Sequence, residues 1–357
     1  MQFAIAFPPH LRVYEDVRRA EDYGFTYAWF DDSHMCYSEL FTTMALAAEH
    51  THRIRLGAFV LVPGNRIAPV TAAGLATLNE LAPGRIVLNV GTGFTGRNAM
   101  GMGPVPLGKL RREISVIRAL LRGEEADYCE GDCARTIRFL HPGMGFINVR
   151  DPVPIFMAAN APKAIRAAGE IADGWLTVTN DPAFIRRNLP IVRQAAASAG
   201  RTDLPFEVVV NATACVLRPG EGYLSPRVIG RVGPYAILKL HTYWSAGEIP
   251  AGPFAPPPLK NLARRYRDEY VMAMAAPMAK RFQEMHTGHM IFVKPGEERY
   301  LTEELVRETT LTGAASEIIE RIKAMEEAGV TVVSMRLCGL DGRELISEIG
   351  REIIARY

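Results

Sequence analysis

The chain is predicted to be an α/β protein closing as a (β/α)8 TIM barrel, with insertions after strand 4 (about 124–152) and after strand 7 (about 218–308). Three observations carry that expectation. Eight short apolar runs alternate with amphipathic stretches, the pattern of a parallel sheet whose crossovers are helices. The eighth unit ends in a helix, which favours a closed barrel over an open sheet. The first strand runs into PPHLRVY, without the glycine-rich phosphate loop that follows the first strand of many doubly wound sheets.

The units come in order. QFAIAF is the first strand; in LRVYEDVRRAEDYG, Leu11, Val13, Tyr14, Val17 and Ala20 fall near helical spacing and Gly24 stops the helix. YAWFDDS is a strand ending in acidic residues, and SELFTTMALAAEHT carries an apolar helical face. RIRLGAFVLVP is the third strand. The helix after it has Pro69 in its first turn and ends at Pro83-Gly84. RIVLNVGTG and LGKLRREISVIRALLRG form the fourth unit; residues 124–152 are irregular and suggest a hairpin outside the barrel. PIFMAAN, GWLTVTN and PFEVVVNATACVL supply strands five to seven, the first two followed by helices. Residues 218–310 break the rhythm. TGAASEIIERIKAMEEAG, VTVVSMRLCG and GRELISEIGREIIARY then close it, so residues 1–357 read as a single domain with one large excursion.

Composition narrows the function classes. Of 357 residues, 48% are hydrophobic and 22% charged, ordinary for a globular enzyme-sized chain. The net charge of +2 gives no reason to expect a nucleic-acid or membrane-surface partner. No run approaches the roughly 18 apolar residues of a membrane span, and the start lacks the basic segment of a secretory signal. The five cysteines are scattered, so reduced thiols in a cytoplasmic setting are expected. Cys129 and Cys133 (CEGDC) have no second ligand pair at metal-binding spacing, and His286 and His289 (HTGH) have no identifiable third ligand. No metal is expected.

In such a barrel the chemistry sits where the strands end. His34 directly follows the second strand and has a near-neutral unperturbed pKa, so it is the candidate for proton chemistry. Asp31 and Asp32 could serve as acid or base, or bond amides at the helix start. GTGFTGRN after the fourth strand offers closely spaced glycines and Arg97, which suit an anion. ANAPK leads into a helix with proline in its first turn and a lysine beside it, a ready phosphate site. Asn160 reads equally well as a plain helix cap. No G-x-G-x-x-G is assigned between a strand and a helix, so no NAD(P)H-binding domain is expected.

AEDYGFTYAWFDDSH, the run from RIRLGAFVLVPGNR to RIVLNVGTG, PIFMAANAPKAIRAAGEIADGWLT and LTGAASEIIERIKAMEEAGVTVVSMRL together resemble the bacterial luciferase-like flavin-dependent oxidoreductases. That group includes luciferase, two-component flavin monooxygenases and deazaflavin enzymes such as methylenetetrahydromethanopterin reductase. The resemblance covers most of residues 1–217 and 309–357, and the excursion between them matches nothing in it.

The resemblance assigns roles. His34 matches the histidine that works beside the flavin. Ala58-Phe59 matches a bulge where a non-proline cis peptide faces the flavin, with Gly57 giving that backbone room. Gly91, Thr92 and Gly93 would lie near the flavin, Asn160, Ala161, Pro162 and Lys163 near its phosphate, and Thr177 nearby. It implies a monooxygenase using reduced FMN and O2 on a small or medium organic substrate, with a separate NAD(P)H:flavin reductase. The alternative is a deazaflavin (coenzyme F-420)-dependent dehydrogenase or reductase that transfers hydride. A second alternative, a non-catalytic flavin-binding protein, is disfavoured because reduced family members have lost parts of the barrel. A homodimer or homotetramer is expected from the resemblance. In the excursion Tyr223, Tyr235, Tyr243, Trp244, Phe254 and Tyr266 either line a pocket or pack its own interior.

Overall fold

The computed structural model describes residues 1–202, 205–245 and 257–357. Eight parallel strands close into a barrel. They are β1 (Gln2–Phe7), β2 (Tyr27–Phe30), β3 (Arg55–Ala58), β4 (Ile86–Val90), β5 (Ile155–Ala158), β6 (Gly174–Thr177), β7 (Glu207–Ala212) and β8 (Val332–Arg336). Each strand lies beside its neighbours in sequence, and β8 closes onto β1 with Ala6 opposite Arg336. The helices that return the chain are α1 (Val13–Asp22), α2 (Leu40–Glu49), α3 (Ala68–Leu81), α4 (Leu107–Leu121), α5 (Pro162–Ile171), α6 (Pro182–Ser198), α7 (Ala315–Glu327) and α8 (Arg343–Glu352). The predicted barrel is therefore the observed one. Among the described residues no helix is long and apolar enough to cross a membrane.

Strand alternation sorts the core into two layers. Ala4, Ala6, Tyr27, Trp29, Val87, Phe156, Leu176, Val209 and Val332 pack together inside the barrel. Ile5, Phe7, Phe30, Leu56 and Leu88 face outward, against helix residues such as Val17, Met44, Leu75 and Ile117. Each such side chain contributes about 1.5–3 kcal/mol on full burial, so the two layers together are what closes the barrel. The Trp29 indole lies across β3. A Cβ on Gly57 would sit 2.8 Å from that ring and 2.6 Å from the Val87 carbonyl oxygen. Gly57 is thus a site of close packing, and not the source of backbone room that the resemblance implied.

Two carboxylates, buried Glu21 and half-buried Asp173, pin the loops at the opposite, N-terminal end of the strands. Glu21 accepts the amides of His52 and Ile54, at 3.0 and 2.8 Å, just before β3. Asp173 takes Arg118 at 3.0 Å, Arg201 at 2.6 Å and the Ile155 amide at 2.9 Å.

The first insertion is the expected hairpin, Ala126–Glu130 with Cys133–Ile137, and it carries Cys129 and Cys133 exposed and unpaired. The seventh apolar run is not one strand. β7 stops at Ala212, and Ala214–Val216 pairs instead with Leu311–Gly313, at the far end of the excursion. Between them the long helix Pro226–Ser245 buries Val228, Val232, Ala236 and Leu240 against Tyr266, Tyr300 and Leu305, a core separate from the barrel's. Arg231 of this helix reaches Glu344 at 2.8 Å and also pairs with Glu348, fastening the excursion to α8.

Of the excursion's aromatics, Tyr223, Tyr235 and Tyr266 are packing. Tyr266 is fully buried and donates to Glu297 Oε1 at 2.7 Å, and Tyr235 donates to the Asn211 carbonyl at 3.2 Å. Tyr223 is half-buried against the same core. Phe254 lies outside the described residues, as do the side chains of Tyr243 and Trp244.

Candidate functional site

The two aspartates that end β2 are each taken by an arginine. Asp31 is buried and ion-paired with Arg336 of β8. Burial alone would lower the Arg336 pKa, but the Asp31 charge outweighs it and holds the guanidinium protonated. Asp32 accepts both its hydrogen bonds from Arg66 Nη1, at 2.8 Å each, and Arg66 also reaches Glu39 at 2.9 Å. The cap of α2 is Glu39, through the Thr42 amide at 2.8 Å. Neither aspartate is therefore free to act as a base or to cap a helix. Arg97 likewise turns back on its own loop, donating to the Gly103 carbonyl at 3.0 Å and to Asn65 Oδ1 at 3.4 Å.

His34 is half-buried, and its one hydrogen-bond-range partner among the described residues is the Met100 sulfur, 3.2 Å from Nε2. A thioether is a weak acceptor, so this nitrogen is available to a better partner. Ala58 is buried at the end of β3, and its carbonyl accepts from Asn89 Nδ2 at 2.7 Å. The non-proline cis peptide is present but lies one bond further on than expected: it joins Phe59 to Val60, not Ala58 to Phe59. Val60 then presses on β4, since a Cβ on Gly91 would lie 2.8 Å from its methyl group. Thr92 and Gly93 come next at the rim, both half-buried.

Asn160 is not the cap of α5. That position falls to Ala161, and no side chain caps the helix. Asn160 Oδ1 instead accepts from Thr177 Oγ1 at 2.6 Å and from the Val178 amide at 3.4 Å, joining the ends of β5 and β6. Ala161, Pro162 and Lys163 are exposed around the uncapped helix start. His34, Ala58, Phe59, Gly91 to Gly93, Asn160 to Lys163 and Thr177 thus occupy the ends of five consecutive strands, β2 to β6. They form one arc of the rim.

Gly91, Gly93 and Gly96 do carry the G-x-G-x-x-G spacing directly after β4, where the sequence was expected to hold none. The loop leads into a single helical turn, Thr95–Asn98, rather than a crossover helix. A Cβ on Gly96 would meet the Asp32 carbonyl at 2.7 Å, so its absence serves loop packing. The structural context of a dinucleotide fingerprint is not there.

A further set of polar groups lies inside the barrel. Trp29 Nε1, Asn89 Oδ1, Asn211 Oδ1, Ser334 Oγ and Arg336 Nε are buried without a hydrogen-bond partner among the described residues. Asn89, Asn211 and Ser334 lie two residues beyond the inward-facing Val87, Val209 and Val332, on the same side of their strands. Unpaired buried polar atoms are rare and costly, and mark a place for water or a polar ligand. The signal was a polar residue inside an apolar strand: Asn89 in IVLNV, Asn211 in VVVNA, and Ser334 with Arg336 in VVSMR.

Part of the excursion is fastened over this rim. Tyr37 donates to the His289 carbonyl at 2.6 Å, and Thr95 Oγ1 lies 3.0 Å from His289 Nε2. Phe282 covers Gly101, where a Cβ would come within 2.7 Å of its ring. Lys239 Nζ donates to the Val178 carbonyl at 2.9 Å.

Residues 11–332 match the family model described as luciferase-like monooxygenase. Over 362 aligned residues, covering 100% of this chain and 99% of the relative, the sequence is 27% identical to a 5,10-methylenetetrahydromethanopterin reductase of Archaeoglobus fulgidus. It is 36% identical over 165 residues, 42% of this chain and 45% of the relative, to an F-420-dependent glucose-6-phosphate dehydrogenase of Nakamurella multipartita. The coenzyme F-420-dependent tetrahydromethanopterin reductase of Methanopyrus kandleri shares the fold, with a TM-score of 0.73 at 21% identity, covering 100% of this chain and 99% of that one. These relatives overturn the expectation of an FMN- and O2-using monooxygenase and favour its deazaflavin alternative. The separate flavin reductase is implied only by the overturned expectation.

Proposed function

The chain belongs to the luciferase-like monooxygenase family, and from that premise we propose that it is a coenzyme F-420-dependent oxidoreductase acting on a small or medium organic substrate. The observation that carries the reading is the end-to-end match to a methylenetetrahydromethanopterin reductase, which covers 100% of this chain and 99% of the relative. The residues of the rim fit such a coenzyme. Phe59 and Val60 offer an apolar ledge, and the absence of a side chain at Gly91 lets Val60 pack directly on the backbone after β4. The unpartnered Asn89, Asn211 and Ser334 oxygens lie deeper in the same barrel, where a ligand's polar edge would meet them. The uncapped start of α5, with Lys163 beside it, suits a phosphate.

A bound deazaflavin would carry hydride and would not activate O2. Everything else is the task of this chain. Thr92 and Gly93 would approach the coenzyme with backbone amides, beside Gly91, whose own amide is taken by the Leu61 carbonyl at 3.1 Å, and Asn160 to Lys163 would hold its phosphate. The Asn160–Thr177 hydrogen bond keeps the ends of β5 and β6 in register beneath it. His34 would hold or pass a proton at Nε2. The fastened excursion would keep water from the rim. A homodimer or homotetramer belongs to the same proposal on the strength of the family resemblance, and sedimentation analysis would read it.

Titration with F-420 and, separately, FMN, followed by visible absorbance and fluorescence, tests the reading. Saturable binding of F-420 with little or none of FMN is expected. The reverse preference would sink it.

A further inference from the structure

The proposed function leaves the substrate unnamed, and one lysine of the excursion bears on it. Lys239 lies on the long helix Pro226–Ser245, and its Nζ donates to the Val178 carbonyl at 2.9 Å. Val178 directly follows β6 and is 38% exposed, so this bond is made at the open rim and not inside a core. The amide of the same Val178 donates to Asn160 Oδ1 at 3.4 Å. Lys239 thus stands at the last strand of the arc that runs from β2 to β6. Beyond that arc the excursion roofs the next two strands. Tyr235, one turn before Lys239 on the same helix, donates to the Asn211 carbonyl of β7 at 3.2 Å. Its side chain packs with Met290 and with Cys338, just past β8. Lys239 therefore marks the seam between the coenzyme arc and the roof, where a substrate laid against the coenzyme would be held.

The charge at this seam is unanswered. The groups that face Lys239 Nζ are the Val178 carbonyl and the Tyr235 ring, whose centroid lies 4.7 Å away. Among the described residues no carboxylate pairs with it. Lys239 is half-buried, and the loss of water pushes its pKa down to about 7 with no opposite charge to hold it up. A partly desolvated ammonium is ordinarily offset by a carboxylate, because the uncompensated charge is costly. Fastening the helix does not account for the cation, since a neutral amide would make the same bond to Val178. An ammonium carries three N–H donors, and Val178 takes one of them. Two donors and a full charge are left for a partner from outside the chain.

We propose that Lys239 is a specificity-determining residue, holding a carboxylate or phosphate of the organic substrate at the end of β6. The inference rests on the oxidoreductase reading for the word substrate, while the anion binding stands on the seam alone. An anionic oxygen here gains a charge-assisted hydrogen bond, about twice as strong as a neutral one. An uncharged analogue of the same shape leaves the ammonium uncompensated, so the seam selects by charge.

Cyclohexanecarboxylate and cyclohexanecarboxamide, equal in ring and differing in charge, are suitable probes. They would be titrated at low salt into the full chain, without coenzyme, carrying isotope-labelled lysine. The Lys239 resonance is assigned by its loss in Lys239→Gln or Lys239→Arg. The carboxylate should bind roughly tenfold or more tightly than the amide. It should move the Lys239 Nζ resonance and raise the pH at which that resonance titrates, since an anion favours the charged form. Lys239→Gln, which can still donate to Val178, should remove the preference, and Lys239→Arg should keep part of it. Equal binding of the two probes, an unmoved Lys239 resonance with carboxylate bound, or no binding of either would overturn the proposal. So would a preference that survives in Lys239→Gln. Weaker F-420 binding by Lys239→Gln with the probe preference intact would give the lysine to the coenzyme's phosphate, and would overturn it equally. If Lys239→Gln does not fold, the two probes on the unaltered chain decide alone. The F-420 titration of the unaltered chain reads the coenzyme proposal separately, so the failure of one is distinguishable from the failure of the other.

Discussion

Tyr37 donates a 2.6 Å hydrogen bond to the backbone carbonyl of His289, joining the segment behind His34 to a turn 252 residues away. Burial, with the nearby Asp31 charge, holds the Tyr37 hydroxyl protonated far above its ordinary range, so it remains a donor at all working pH. This bond is one of the contacts that hold the excursion on the barrel mouth, with Thr95 to His289 and Lys239 to Val178.

Tyr37→Phe is expected to cost about 1 kcal/mol, the net worth of one hydrogen bond. Its main effect should be local: amide hydrogen exchange should quicken across residues 281–292 and stay unchanged in the barrel strands. Uniformly quickened exchange would mean that the bond does not fasten the excursion in particular.

Gly57→Ala should destabilise the whole barrel. The new methyl would meet the Val87 carbonyl at 2.6 Å and the Trp29 ring at 2.8 Å, and the carbonyl cannot turn aside without losing its place in the sheet. Overpacking of this kind costs about 1–3 kcal/mol. The midpoint of urea unfolding, with an unchanged slope, is the measurement.

His34→Ala should leave the affinity for F-420 nearly intact while hydride-transfer turnover falls by roughly 10²–10⁴, the usual worth of a positioned proton donor or acceptor. Steady-state rates beside a binding titration separate the two effects. Unchanged turnover would remove His34 from the chemistry.

The buried histidines make stability depend on pH. In the unfolded chain a histidine takes a proton below about 6.5, whereas burial delays His286 to about 4 in the fold. The unfolded state therefore binds more protons between those values, and stability should be full above about pH 6.5 and fall as pH drops toward 4. Between roughly pH 5.5 and 6.5 most carboxylates have finished titrating, so that interval isolates the effect. Urea midpoints should decline through it as pH is lowered, and histidine NMR should show His286 still neutral there. A flat profile with a protonated His286 would contradict its burial.

The barrel was legible because each stave is a short apolar run bounded by turn residues, and because helices and strands bury different periods of side chain. The rim was legible for the same reason: once the strands are counted, their ends are known. Contacts between distant elements were not. Asp31 and Arg336 are 305 residues apart, and nothing in DDSH or MRLC announces that they pair. The cis bond fell at Phe59–Val60, one residue from its expected place, because loose motifs fix a strand's identity better than its register. The split after Ala212 was hidden because NATACV has no glycine, proline or charge to mark the break between two strands that belong to different sheets. The polar residues within IVLNV, VVVNA and VVSMR were visible, and barrel parity alone would have turned them inward.

The two short strands that flank the excursion lie side by side, Ala214 opposite Leu311. A detour whose ends already meet adds little closure cost to its host, and that cost grows only with the logarithm of its length. Whatever is spliced between these doorposts can be rewritten without disturbing the eight staves. The barrel is then a chassis that keeps its chemistry, and the detour is the cassette on which new preferences can be selected.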